Sequence, residues 1–161
     1  MEYRYCELRA TSDAITGTLI RYGNRADIGG YFTEEFSADS IRYKDVIVNI
    51  MHDRSKPVAR LGSSLSLDNR DNEIIAVINP PDSSYGRDVR AMVDAGILRG
   101  LSMEFRATRE DWQDTHRIIT QADLHGIGIV DSPAYSDSEI QKRWAEMHNI
   151  EQSPSAWGYY V

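Results

Sequence analysis

The 161-residue sequence predicts a mainly β domain with flanking helices, an α+β fold built as one barrel or folded-over sheet with helices packed outside. Three observations predict it. About eight segments carry period-2 alternation or short apolar runs bounded by Gly, Pro, Asn or Asp, and only two segments carry helical spacing. The length is enough for one well-filled core and too short for two, so residues 1–150 read as one domain and 151–161 as a C-terminal tail.

Residues 3–22 are rich in Thr, Ile, Leu and Tyr and are broken at Thr11-Ser12-Asp13, which makes two strands. Gly23-Asn24 and Gly29-Gly30 bound a loop ahead of a third segment at 31–36, and 37–41 reads as one helical turn. Residues 45–52 are apolar on both faces over most of their length, the mark of a central strand. Counting by twos puts His52 on the face of Val46, Val48 and Ile50, ahead of a turn at 53–57. Residues 58–67 and 73–79 make a hairpin across the polar turn 68–72. A helix follows over 82–95, with Ser83 or Ser84 as N-cap and Gly96 at its end.

Next, Leu101, Met103 and Phe105 alternate with Ser102, Glu104 and Arg106, a strand with one apolar and one polar face. A charged turn at 109–114 leads to strands at 115–119 and 123–130. The latter sets Gly126 and Gly128 on one face, where another backbone can approach closely. Residues 138–147 read as an amphipathic helix.

A formal net charge of −7 opposes non-specific binding to nucleic acid, while 15 arginines among 18 basic residues leave room for local anion sites. Cys6 is the one cysteine, which excludes an intramolecular disulfide and a Cys-based zinc site; it reads as a small core residue. No segment has the apolar run of a signal peptide or a membrane span, so a reducing, cytoplasmic compartment is expected, with no membrane partner. No cofactor or metal is expected.

Ser102, on the polar face of its strand after Gly96 and Gly100, is the candidate nucleophile. A serine hydroxyl needs a base within hydrogen-bond reach, itself oriented by a third group. His52, half shielded at the end of a buried strand, suits the base. Lys56 is the weaker choice, because it lies in a wet turn with Arg54 and Arg60.

Three stretches resemble the tailed-phage prohead protease family, capsid maturation serine proteases distantly similar to herpesvirus assemblins. Asn49-Ile50-Met51-His52-Asp53 followed by Pro57-Val58-Ala59-Arg60-Leu61-Gly62 is like that family's Asn-His-Asp and Pro-x-Gly-Arg stretch. The run from Gly96 to Phe105 is close to its Gly-x-Leu-x-Gly-Leu-Ser-Ile-Gly-Phe, and Asp123 to Ala134 is similar to its Leu-x-Glu-Val-Ser-Leu-Val-x-x-Pro-Ala.

The resemblance implies a closed or partly closed β-barrel of about seven strands ringed by helices. It also implies endoproteolysis of the major capsid protein and scaffolding protein, and of the chain itself, inside an assembling procapsid in the host cytoplasm, with a homodimer as one assembly. Ser102 is then the nucleophile and His52 the base. The family's Glu falls on Gly126 in a gapless reading, so the third member is assigned to His125, one place away, with Asp123, Asp131 or no residue as alternatives. A one-residue offset faces the wrong side of a strand unless a bulge intervenes. Backbone N–H groups of Ala134 or Tyr135 are the expected oxyanion donors, since Pro133 has none. The rival from another class is a non-catalytic β-barrel serving as a structural or scaffold-binding module of a virion.

Overall fold

The computed structural model describes residues 1–10 and 14–131, with only the backbone described for 5–7, 9 and 10. Along them run β1 (Glu2–Ala10), β2 (Ile15–Arg21), β3 (Ala26–Ile28), β4 (Phe32–Phe36), β5 (Ile41–Arg42), β6 (Ile47–Ile50), β7 (Asp53–Arg60), β8 (Leu65–Asn69), β9 (Glu73–Ile78), α1 (Ser84–Asp94), β10 (Gly100–Gln113) and β11 (His116–Val130). The second expected helix, the tail, Ala134, Tyr135, the break at 11–13 and the Cys6 side chain lie outside what is described.

The β10–β11 hairpin organises the sheet. Its strands pair antiparallel from Gly100↔Val130 to Gln113↔His116. Sequence alone divided this hairpin into three shorter strands around a charged turn at 109–114. The charges instead mark an exposed extension of the ladder, and the reversal falls at Asp114, where φ is 53°. Asp accepts that left-handed conformation more readily than most residues.

The other edge of β11 takes β4, β5 and β6 in succession, all parallel. On the far side of β10 the order continues through β1, β2, β9 and β8. The β-rich expectation therefore holds, but the strand count exceeds seven, and among the described residues the pairings run as an open path from β3 to β8 and do not close into a barrel. Short β3 and β5 escaped the sequence reading because two or three residues cannot show a period. The expected helical turn at 37–41 is a tight turn, closed by Ser40 N–H donating to the Ser37 carbonyl at 3.1 Å.

One face of β10 and β11 supplies the core, with Leu101, Met103, Phe105, Ile127 and Ile129 almost fully buried. Helix α1 begins where expected: the Ser83 hydroxyl accepts from Gly86 N–H at 3.0 Å, and Gly96, with φ at 70°, follows its end. A cavity of about 620 Å³, lined in part by Arg4, Thr18, Glu34, Phe36 and Met103, lies on this same face, away from Ser102.

A buried ion network ties the first strand into the sheet. Arg117, 2% exposed, donates from Nε to Glu110 at 2.7 Å, from Nη1 to Glu34 at 2.9 Å and from Nη2 to Glu2 at 2.9 Å. Arg4 forks onto the same Glu34 carboxylate. Two guanidinium groups thus hold three carboxylates from β1, β4 and β10, which leaves few lone pairs of the buried charges unmet.

Candidate active site

On the face of the sheet opposite the core, two rows of paired residues cross the strands. One row runs Tyr5, Ser102, Gly128, Asn49, and the next runs Tyr3, Glu104, Gly126, Ile47. Directly opposed residues in a ladder share a face, with Cβ positions about 4.5–5.5 Å apart. Ser102 and Glu104, two apart on β10, therefore stand side by side, each facing a glycine on β11.

The two glycines are where the functional side chains lie. A Cβ placed on Gly128 would stand 2.7 Å from Nε2 of His52 and within 2.9 Å of two of its ring carbons, so the imidazole occupies the space above Gly128. A Cβ on Gly126 would stand 3.2 Å from Oε2 of Glu104. Both glycines admit side chains from neighbouring segments, and at Gly126 the expected backbone approach is present as well, the Ile47 carbonyl lying 3.4 Å from where a Cβ would stand.

His52 reaches this face through a turn. Strand β6 ends at Ile50, which pairs with Asp53, and the two residues between them, Met51 and His52, have φ of 51° and 57°. Two successive positive φ values are what a two-residue type I′ hairpin loop requires, usually met by Asn and Gly. The turn is pinned to β11 by Met51 N–H donating to the Ile129 carbonyl at 3.0 Å. Counting by twos fails at the turn: His52 leaves the face of Val46 and Val48 and lies over Gly128, the ladder partner of Ser102. The expected turn at 53–57 is instead the start of β7.

Around the ring, Tyr3 packs edge-on with ring centroids 4.5 Å apart, and Nδ1 lies 3.7 Å from Oε2 of Glu104. Nε2 thus faces the Ser102–Gly128 row and Nδ1 the Glu104–Gly126 row. Oε1 of Glu104 lies 3.6 Å from Nη2 of Arg54, an exposed side chain. Asp53, the residue after His52, turns away: its carboxylate accepts from Ser55 Oγ at 2.6 Å and Ser55 N–H at 2.9 Å, which holds it below the usual carboxylate range.

Ser102 is 6% exposed, so the polar face of its strand is covered rather than open at this position. An imidazole nitrogen over the residue opposite a serine, with a carboxylate beside the other nitrogen, is an arrangement able to activate a hydroxyl for nucleophilic attack.

His125 lies elsewhere. A bulge between Glu104 and Phe105 leaves it unpaired between Gly126 and Leu124, where it is exposed and joined to His52 by no hydrogen bond, ion pair or ring contact. The bulge that could have rescued the one-residue offset exists, and it turns His125 toward solvent. Asp123 sits further along the ladder opposite Arg106 and Arg42, and Asp131 is exposed beyond the end of β11.

Lys56 is exposed and 3.3 Å from Asp53, which leaves His52 as the base candidate. Among the described residues no three His, Cys, Asp or Glu side chains converge closely enough to hold a metal ion, so His52, Asp53 and His125 do not form such a group. Glu104 was present in the sequence reading only as a polar-face residue of the Ser102 strand; its i+2 spacing from the serine was the available signal.

Among the described residues no helix is long and apolar enough to cross a membrane. The family model described as caudovirus prohead serine protease matches residues 2–153. No curated protein and no solved structure matches the chain.

Proposed function

The chain belongs to the caudovirus prohead serine protease family, and from that premise we propose that it is a serine endopeptidase cleaving capsid and scaffold polypeptides, its own chain included, inside the assembling procapsid, as one domain over residues 1–150. Ser102 is the nucleophile and His52 the general base. The observation that carries this reading is the imidazole of His52 lying over Gly128, the direct ladder partner of Ser102.

The chemistry follows from that placement. Nε2 accepts the hydroxyl proton as Oγ attacks the scissile carbonyl carbon, forming a tetrahedral intermediate. The imidazolium then gives the proton to the amine as the C–N bond breaks, which leaves the acyl–enzyme, and a water activated by the same nitrogen hydrolyses that ester. Exclusion of water around a serine this buried strengthens each of these polar interactions. Backbone donors for the developing oxyanion are assigned to the segment after β11, at Ala134 or Tyr135.

Incubation of the full chain with its capsid and scaffold polypeptides tests the reading. Ser102→Ala should abolish cleavage and labelling by a serine-directed fluorophosphonate while leaving the circular dichroism and melting temperature unchanged. Processing that survives in the alanine variant would leave the non-catalytic virion module as the better description.

A further inference from the structure

We propose that Glu104 is the residue that positions His52, delivered from the serine's own strand and made possible by glycine at 126. The inference rests on the roles of Ser102 and His52 given above and assigns the third member of the site. It replaces His125, which stands exposed in the bulge.

The Glu104 side chain is only about 10% exposed, and a carboxylate that deep in a strand is costly unless a cation or donor meets it. Its nearest partners are Arg54 at 3.6 Å on one oxygen and the His52 ring, 3.7 Å from Nδ1, on the other. When Ser102 gives its proton to Nε2 the ring becomes a cation with N–H groups at both nitrogens. A carboxylate on the Nδ1 side then gains a charge-assisted contact at the moment of reaction. Beforehand it favours the tautomer that carries its proton on Nδ1 and leaves Nε2 free to accept. Closing 3.7 Å to hydrogen-bond length needs a shift of less than an ångström, and such contacts commonly tighten when substrate binds.

Gly126 is the condition for this geometry. Positions 104 and 126 are direct ladder partners, and a side chain at 126 would start 3.2 Å from the Glu104 carboxylate and 3.4 Å from the Ile47 carbonyl. One carboxylate fits in that place, and it can come from either strand provided the other strand carries glycine. Groups facing the ring from the surrounding elements are the Tyr3 side chain on β1 and Glu104 on β10, whose other carboxylate oxygen meets Arg54 of β7. Glu104 is the carboxylate in ion-pair range of the ring, since Asp53 is taken up by Ser55 and Lys56.

The test uses the full chain in two backgrounds. In the active chain, Glu104→Gln should lower kcat by about 10²-fold or more with KM little changed, and Glu104→Asp should fall between. In a Ser102→Ala background, nitrogen NMR of the His52 ring should show Glu104→Gln moving the titration to lower pH and shifting the tautomer away from Nδ1–H, effects a merely structural role would not produce. Exchange of the pair, Glu104→Gly with Gly126→Glu, should recover cleavage by about tenfold or more over Glu104→Gly alone. Should Glu104→Gln fail to fold, the exchange decides: recovery supports the inference and its absence overturns it. A folded Glu104→Gln that cleaves at the parent rate with an unmoved His52 titration overturns it while Ser102→Ala stays inactive, so the protease reading would survive. Cleavage by Ser102→Ala itself would overturn both.

Discussion

The imidazole of His52 fills the space that a side chain on Gly128 would need, with Nε2 only 2.7 Å from where its Cβ would stand. Nothing about the backbone of Gly128 calls for glycine, because its φ lies outside the left-handed region. The requirement is room for the ring.

Gly128→Ala should therefore separate activity from stability. The strand accepts alanine, but the ring must lift or rotate off Ser102, and displacement of a reacting group by about 1 Å costs on the order of 10²-fold in rate. We expect kcat to fall by about that factor with the melting temperature lowered by no more than a few degrees. A fully active Gly128→Ala would show that the ring does not work from this position.

The turn that carries His52 holds strain of its own. Met51 and His52 both adopt positive φ, and an ordinary side chain there costs on the order of 1 kcal/mol or more. Histidine is among the residues that accept this region best, and methionine is not. Met51→Gly should raise stability in urea by up to about 1 kcal/mol, whereas β-branched Met51→Val should lower it by about 1–2 kcal/mol. Cleavage should fall in the valine variant, since the same turn sets where the ring lies.

How far the site was legible in the sequence depended on which link of the argument each residue needed. Ser102 came from strand alternation, and α1 with its cap came from local signals, because both rest on contacts a few residues apart. Period-2 counting puts His52 on the wrong face, since it assumes a continuous strand and β6 stops at Ile50. Glu104 was passed over because the motif likeness directs attention to position 126, where this chain has glycine. Only the register, which sets 104 opposite 126, reveals that the two positions serve one place in space. Strand closure was equally out of reach, being a matter of long-range pairing that no local pattern carries.

Acid should loosen the fold through the first strand. Burial pushes the Glu2 carboxyl up, but its hydrogen bonds and charge interaction with Arg117, with Arg4 adding to them, outweigh this and hold it below its ordinary value. A carboxylate depressed in the folded state contributes stability above the unfolded value, and that contribution is lost as pH falls through the folded one. Thermal melts should decline more steeply below about pH 4.5 in the parent than in Glu2→Gln, which has no such group to lose. Equal slopes would show that the Glu2 contact is not held in solution.

Arg117→Met reverses that sign. The guanidinium is 2% exposed and binds Glu2, Glu34 and Glu110, and these carboxylates raise its already high pKa against the opposing effect of burial, so it stays charged throughout. Methionine keeps most of the volume and removes the charge, leaving Arg4 as the remaining cation in the network for three carboxylates, one of them 2% exposed. Breaking a buried ion pair on one side costs about 3–5 kcal/mol, because the unpaired charge stays buried. Near pH 7 the variant should be destabilised by about that much. Lowering the pH then protonates the stranded carboxyl groups and relieves their repulsion, so the gap between parent and variant should narrow toward pH 4. Chemical denaturation of both proteins at pH 7 and pH 4 measures this directly. A gap that stays constant or widens in acid would mean that Arg117 does not hold these carboxylates ionised in the folded parent, and that the first strand is not fastened by this network.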